Sequence, residues 1–112
     1  SDKESGESSA TIRERVAAAR VIQTERYATF DSIHSNAQLT PKLMKKYCRV
    51  DEAGNRLLKN AVEKLGFSAR SYARILKVAR TIADLDNAER IESQHVAEAI
   101  QYRSLDREGW LG

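Results

Sequence analysis

Gly66-Phe67-Ser68-Ala69-Arg70-Ser71-Tyr72-Ala73-Arg74-Ile75-Leu76-Lys77-Val78-Ala79-Arg80-Thr81-Ile82-Ala83-Asp84-Leu85 is the stretch on which the reading of this chain turns. Apolar residues fall at Tyr72, Ile75, Leu76, Ala79, Ile82 and Ala83, one stripe at helical spacing. Gly66 supplies a left-handed stop for the helix before it. Ser68 can accept from the first free amides of the helix after it. The pattern predicts a helix from Ser68 to about Leu85. Arg70, Arg74 and Lys77 lie on its other side. A helix start carries partial positive charge and unpaired amides, so an arginine there meets the wrong end of the dipole. An anion lying between the arginine and the helix would reverse that penalty, and a phosphate oxygen suits the place. The chain has no phosphate-cradling loop of its own. The two observations together point to one part of a nucleotide machine.

Working outward, Asp51 can cap the preceding helix, whose inner stripe is Leu57, Leu58, Ala61, Val62 and Leu65. Thr40-Pro41 marks a short helix start, with Leu43, Met44 and Tyr47 inward. Asp31 to Leu39 has no periodic pattern and reads as a loop. Upstream, the first helix is expected to begin near Ser9 or Thr11; Thr11 followed by Glu14 fits a capping box, and Ile12, Val16, Ala19 and Ile22 form an expected inner face. That first helix should fade between Tyr27 and Phe30. Beyond Leu85, Asp86 to Ile91 is a connector. Ser93 caps an expected fifth helix through Val96, Ala97, Ala99 and Ile100 to about Tyr102. Residues 1–9 read as a disordered tail or interdomain linker, 10–103 as a helical domain, and 104–112 as a weakly ordered tail in which Trp110 either folds back or stays loose.

Composition agrees with an all-α fold, a small bundle of four to five helices. Of 112 residues, 41% are hydrophobic and 6% aromatic, with five glycines and one proline, a poor turn supply for a β-sandwich. Nineteen cations against 16 acids make a mixed surface, unlike one that coats nucleic acid. Cys48 is the only cysteine, which excludes an intrachain disulfide and fits a reducing, cytoplasmic setting. No apolar run approaches membrane-spanning length.

Several chemistries find no support. His34 and His95 are far apart with no cysteine pair near either, so both read as surface or half-buried histidines and no metal site is expected. Cys48 has no activating partner and reads as a buried structural thiol. Asp51 and Glu52 are explained by a helix start, which attracts acids. No acid–base pair can be assigned a role, so the isolated chain is not expected to be an enzyme. Arg80 and Asp84 stand one turn apart and read as a structural pair, worth about 0.2–0.5 kcal/mol on an exposed helix. Arg13, Arg15 and Arg20 face either solvent or an adjoining subunit or domain.

Four stretches carry a resemblance. They are Gly6-Glu7-Ser8-Ser9-Ala10-Thr11-Ile12-Arg13-Glu14-Arg15-Val16 with Ala19-Arg20; Ser35-Asn36-Ala37 with Tyr47-Cys48 and Asp51-Glu52-Ala53-Gly54; Ser68-Ala69-Arg70 through Ala79-Arg80-Thr81-Ile82-Ala83-Asp84-Leu85; and His95-Val96-Ala97-Glu98-Ala99-Ile100-Gln101-Tyr102-Arg103. In order, they cover nearly the whole chain, and the third is the most specific. The chain resembles the C-terminal part of magnesium-chelatase-like AAA+ ATPases, nearest to the competence-related ComM/YifB group. The resemblance implies a helical lid beside a nucleotide-binding α/β core. It implies that Arg70 occupies the sensor-2 position, reaching the terminal phosphates of ATP, and leaves open whether it serves its own subunit or a neighbour. Arg74 continues that face as a second nucleotide contact, whereas Lys77 reads as an ordinary exposed lysine. ATP and magnesium are implied for a longer parent, with none bound by this chain alone. The nucleotide loop, the acidic magnesium-binding motif and an arginine finger would lie upstream of Ser1. The implied partners are that upstream core, neighbouring subunits of a ring, and DNA for the parent, through branch migration, with no membrane. Glu25 to His34 is variable and carries no detailed transfer.

Two other classes remain open at this point. Gly66-Phe67-Ser68 could be the turn of a free-standing helix-turn-helix module that presents Arg70 and Arg74 to DNA, against which the balanced charge argues. A pure oligomerisation module is the third, although the chain alone is expected to be monomeric.

Overall fold

The computed structural model describes residues 7–107, with side chains through Arg103. The expected N-terminal tail through Gly6, and the expected C-terminal tail beyond Arg107 with Trp110, lie outside the described residues. Five α-helices are present among them: α1 (Ser9–Arg26), α2 (Pro41–Tyr47), α3 (Glu52–Leu65), α4 (Ala69–Leu85) and α5 (Ser93–Arg107), with a 3-10 turn at Asn36–Gln38. Extended pairing among the described residues amounts to one parallel bridge, Val50 to Ile91. The fold is the small all-α bundle that the sequence predicts.

Helices α1 to α4 each start where a side chain accepts from a free first-turn amide. Thr40 accepts from the Leu43 N–H at 3.3 Å, Asp51 from the Gly54 N–H at 2.8 Å, and Ser68 from the Ser71 N–H at 3.2 Å. Gly66 closes α3 at φ 67°, ψ 32°, a left-handed conformation that glycine adopts without a Cβ penalty. Two caps differ from expectation. Ser8, not Thr11, caps α1: its Oγ accepts the Thr11 N–H at 3.1 Å, and Thr11 lies inside the first turn. Ser93 is the first residue of α5, not its cap. Glu92 precedes it and its carbonyl accepts from the His95 and Val96 N–H groups at 3.0 and 3.2 Å, while its own N–H donates to His95 Nδ1 at 2.9 Å. His95 thus plays the reciprocal part that glutamate plays in a capping box. The helix then runs to Arg107, past the expected end at Tyr102.

Helix α4 is central. It packs against α5, α1, α2 and the Asn36–Gln38 turn, and α5 also packs against α3. Ala79, Ala83 and Ala99 are buried and small, which lets the α4 and α5 backbones come close, while Leu58, Ile75 and Val96 fill the space around them. Gly54 is buried in α3, where a Cβ would collide with the Val50 side chain and meet Val96 Cγ2 at 3.4 Å. Tyr27, Phe30 and Tyr47 meet edge to face at 5.4–6.4 Å, pinning the end of α1 to α2.

The expected inner face of α1 is only partly inner. Ala19 is buried, but Ile12 and Val16 remain 39% and 37% exposed. The N-terminal half of α1 stands off the bundle, with Ile12 and Val16 across a groove of about 360 Å³ from Ile82 and Leu85. Leu57, Leu65 and Tyr72, also expected to face inward, lie at the margin of the core and stay partly exposed.

Candidate functional site

The first turn of α4 is built by a closed sequence of local causes. Gly66 turns the chain, Phe67 is buried as an anchor, and Ser68 caps the helix. Arg70 is then the second helical residue, and it is exposed. Its guanidinium has no hydrogen bond or ion pair to any described side chain. Helix geometry leaves the Ala69 and Arg70 N–H groups without intrahelical acceptors. An unengaged cation and free donors therefore share one end of α4.

Arg74 is exposed one turn later. Lys77 is half-buried, and its Nζ donates to the Ala37 carbonyl at 3.2 Å, which ties the Asn36–Gln38 turn to α4. The sequence pattern does not single out Arg103. Its Nη2 donates to Ser71 Oγ at 3.3 Å, so α5 reaches back to the first turn of α4. Arg74, Lys77 and Arg103 line one groove of about 390 Å³ with Ile75, Val78 and Tyr102, and among the described residues no acidic one lines it. The one signal for Arg103 is its place on the α5 stripe, seven residues after Val96. The chemistry available at this end is binding and charge stabilisation of an anion.

Arg80 and Asp84 do pair, at 3.1 Å, but within a much larger buried cluster than an exposed i,i+4 pair. The Asp84 side chain is fully inaccessible and that of Arg80 is 5% exposed. Arg26, from the end of α1, grips Asp84 with two bonds of 2.9 and 2.7 Å. Asn36 Nδ2 donates to Asp84 at 2.9 Å and to Thr81 Oγ1 at 3.0 Å, while Asn36 Oδ1 accepts from the Tyr27 hydroxyl at 2.6 Å. Arg80 also donates to the carbonyls of Ala88 and Glu89 at 2.9 and 3.2 Å, which holds the α4–α5 connector. Burial pushes the Asp84 carboxyl up, but the bonds from Arg26 and Asn36 and the charge of Arg80 overcome this and hold it below its usual range. The bond to Asp84 raises the Arg26 pKa in turn, against its own burial. The cluster fixes α1, the 27–39 loop, α4 and the connector as one piece.

His34 is exposed, as expected. His95 is not a surface or half-buried histidine: it is 2% exposed, with Nε2 at 2.9 Å from Asp86 Oδ2. It is buried because it serves the α5 cap. Cys48 is buried as predicted, and burial, opposed mainly by Arg80, pushes its thiol up to about 11. Arg13 and Arg20 face solvent, and Arg15 pairs with Glu7 at 3.0 Å. Among the described residues no group of three His, Cys, Asp or Glu side chains could hold a metal, and no helix is long and apolar enough to cross a membrane.

Residues 6–103 match the family of the C-terminal domain of magnesium chelatase ChlI. The chain belongs to that family. It is 43% identical over 102 residues to the uncharacterized protein YifB of Salmonella typhimurium and to the competence protein ComM of Haemophilus influenzae, and 41% identical to YifB of Escherichia coli. Each alignment covers 91% of this chain and 19% of the relative, so the chain spans about a fifth of the length of these proteins. More distant relatives at 31% identity include an uncharacterized protein of Mycobacterium tuberculosis. No solved structure matches the chain.

Proposed function

We propose that this domain is the lid of an AAA+ ATPase and that Arg70 is its sensor-2 arginine. The observation that carries the reading is the unengaged Arg70 guanidinium at the start of α4, in a chain whose family is a magnesium-chelatase C-terminal domain. The free amides of that turn and the Arg70 charge fit the terminal phosphates of ATP. The γ-phosphoryl group is the one transferred, and magnesium is held by residues upstream of this domain. Arg70 stabilises the charge on the transferring group, and Arg74 gives a second, weaker contact. The buried Asp84 cluster supports rigid-body motion, in which the lid moves as a unit against the core as the nucleotide changes. The partners are the upstream core of the same polypeptide and neighbouring subunits of a ring, in the cytoplasm, with DNA the substrate of the whole motor.

The test is Arg70→Ala in the full-length protein. ATP turnover should fall by about 10³-fold or more, the scale of a lost arginine contact in phosphoryl transfer. The melting temperature should not change, since Arg70 holds nothing in the fold. Normal turnover in that variant would refute the assignment. Mixing Arg70→Ala protomers with protomers that cannot bind nucleotide separates action within one protomer from action across to the next.

A further inference from the structure

The segment from Thr40 to Val50 holds four cations, Lys42, Lys45, Lys46 and Arg49, and no carboxylate. In a chain with 19 cations and 16 acids, that is a local excess. Lys42, Lys45 and Lys46, three and four residues apart, lie on one side of α2, away from the buried Met44, and Arg49 follows in the chain just past the Cys48 C-cap. All four are exposed, and among the described residues none forms an ion pair. Lys46 sits 5.2 Å from the Tyr47 ring centroid, a contact that leaves its charge uncompensated. The helix dipole favours Lys45 and Lys46 in the last turn, but it opposes Lys42 in the first. Helix chemistry alone does not account for the stripe.

The adjoining cavity, of about 580 Å³, is a different matter. Lys46, Arg49, Arg80 and Arg90 line it together with Asp51, Glu89 and Glu92, so its charge is nearly balanced. Lys42 and Lys45 do not line it, and on their side of α2 positive charge stands alone. From Lys42 to Lys46 the stripe spans about 6 Å of helix, and Arg49 extends it past the helix end. One strand of B-form DNA presents phosphates at about 3.4 Å per step, a spacing on the scale of that between the cations. Leu43, Met44, Tyr47 and Cys48, which alternate with the cations in the chain, are buried or half-buried, so the stripe lacks the exposed central anchor on which a protein partner depends. Lysine ammonium groups on flexible stems suit phosphates rather than base edges.

We propose that the outer face of α2, with Lys42, Lys45 and Lys46, together with Arg49 just past its C-cap, binds the phosphate backbone of nucleic acid without reading sequence. The face is separate from the nucleotide end of the domain. Arg80, which shares a cavity with Lys46 and Tyr47, lies ten residues along α4 from Arg70, about 15 Å. The proposal stands or falls independently of the role given to Arg70.

The test is fluorescence anisotropy of a labelled duplex of about 20 base pairs and mixed sequence, titrated with the 112-residue chain. Four backbone contacts predict an affinity that falls about 150-fold between about 50 and 200 mM salt. In Lys45→Gln/Lys46→Gln/Arg49→Gln, one contact remains and the fall shrinks to about threefold to fourfold. Arg70→Gln/Arg74→Gln should keep the full salt dependence. Thermal melting verifies that each variant is folded, and Lys42→Gln alone, with one contact fewer, should show an intermediate slope. No binding at the lower salt, an unchanged slope in the triple variant, or loss of binding in the Arg70/Arg74 variant overturns the proposal. So does equal displacement of the duplex by polyglutamate of matched charge, which would mark the stripe as a surface for acidic protein.

Discussion

Replacing Asp84 with asparagine keeps the shape of the central side chain and removes its charge. In the native fold that carboxylate accepts two bonds from Arg26 and one from Asn36 and forms an ion pair with Arg80, and no solvent reaches it. The neutral amide would leave two guanidinium groups without a counter-charge, and its NH₂ would face at least one of their donors. Removing one partner of a buried ion pair costs about 3–5 kcal/mol. The Arg26 side chain is 16% exposed and can recover some hydration, so the low end, about 3 kcal/mol, is the expected cost. Total stability for a domain of this kind is about 5–15 kcal/mol. At about 4–8 °C per kcal/mol, the melting temperature should drop by about 12–24 °C. Urea and thermal unfolding followed by circular dichroism measure both quantities. The effect also has a pH signature. The folded-state pKa of Asp84 is depressed, so its contribution is complete above the unfolded value, near about 4, and is lost as pH falls through the lower folded value. Wild-type protein should lose this increment below about pH 4, and Asp84→Asn should not. A cost under about 1 kcal/mol at neutral pH, or parallel acid limbs in the two proteins, would refute the central role given to the cluster.

Leu58→Ala and Ile75→Ala each empty a site about 1% exposed and should cost about 2–5 kcal/mol in urea unfolding, enough to unfold a bundle near the lower end of the usual range. The Cys48 thiol, buried and with its pKa pushed up to about 11, should react with iodoacetamide at mildly alkaline pH far more slowly in the native protein than in urea, and similar rates would contradict its burial. Gly66→Ala should lower stability by about 1 kcal/mol, because its φ of 67° is strained for alanine, and an unchanged urea midpoint would count against that strain.

The sequence is most legible where structure is local. Thr40, Asp51, Ser68 and Gly66 act within one turn, and all four do in the fold what the chain predicts of them. The α4 stripe is legible for the same reason, because periodicity marks an apolar side wherever the helix is placed. Periodicity does not say what lies against that side, and so Ile12 and Val16 read as core while α1 stands off the bundle. At the start of α1 several hydroxyl residues stand close together, and local pattern does not single out Ser8 as the cap. Long-range polar pairing leaves no local trace. Arg26 and Asp84 are 58 positions apart, and Asn36 lies in a stretch whose composition looks like a plain loop. His95 looks ordinary because a histidine in that capping position has no common motif. At the candidate site, Arg70 and Arg74 are read from their place on α4, whereas Arg103 joins their end only through the packing of α5 on α4.

The bridge between Val50 and Ile91 fastens the linker before α3 to the linker before α5. Two levers that share one pivot cannot swing apart, so torque applied to either linker is delivered to both helices. A push at the α2 end of the domain would then travel through that clasp instead of dissipating in slack chain.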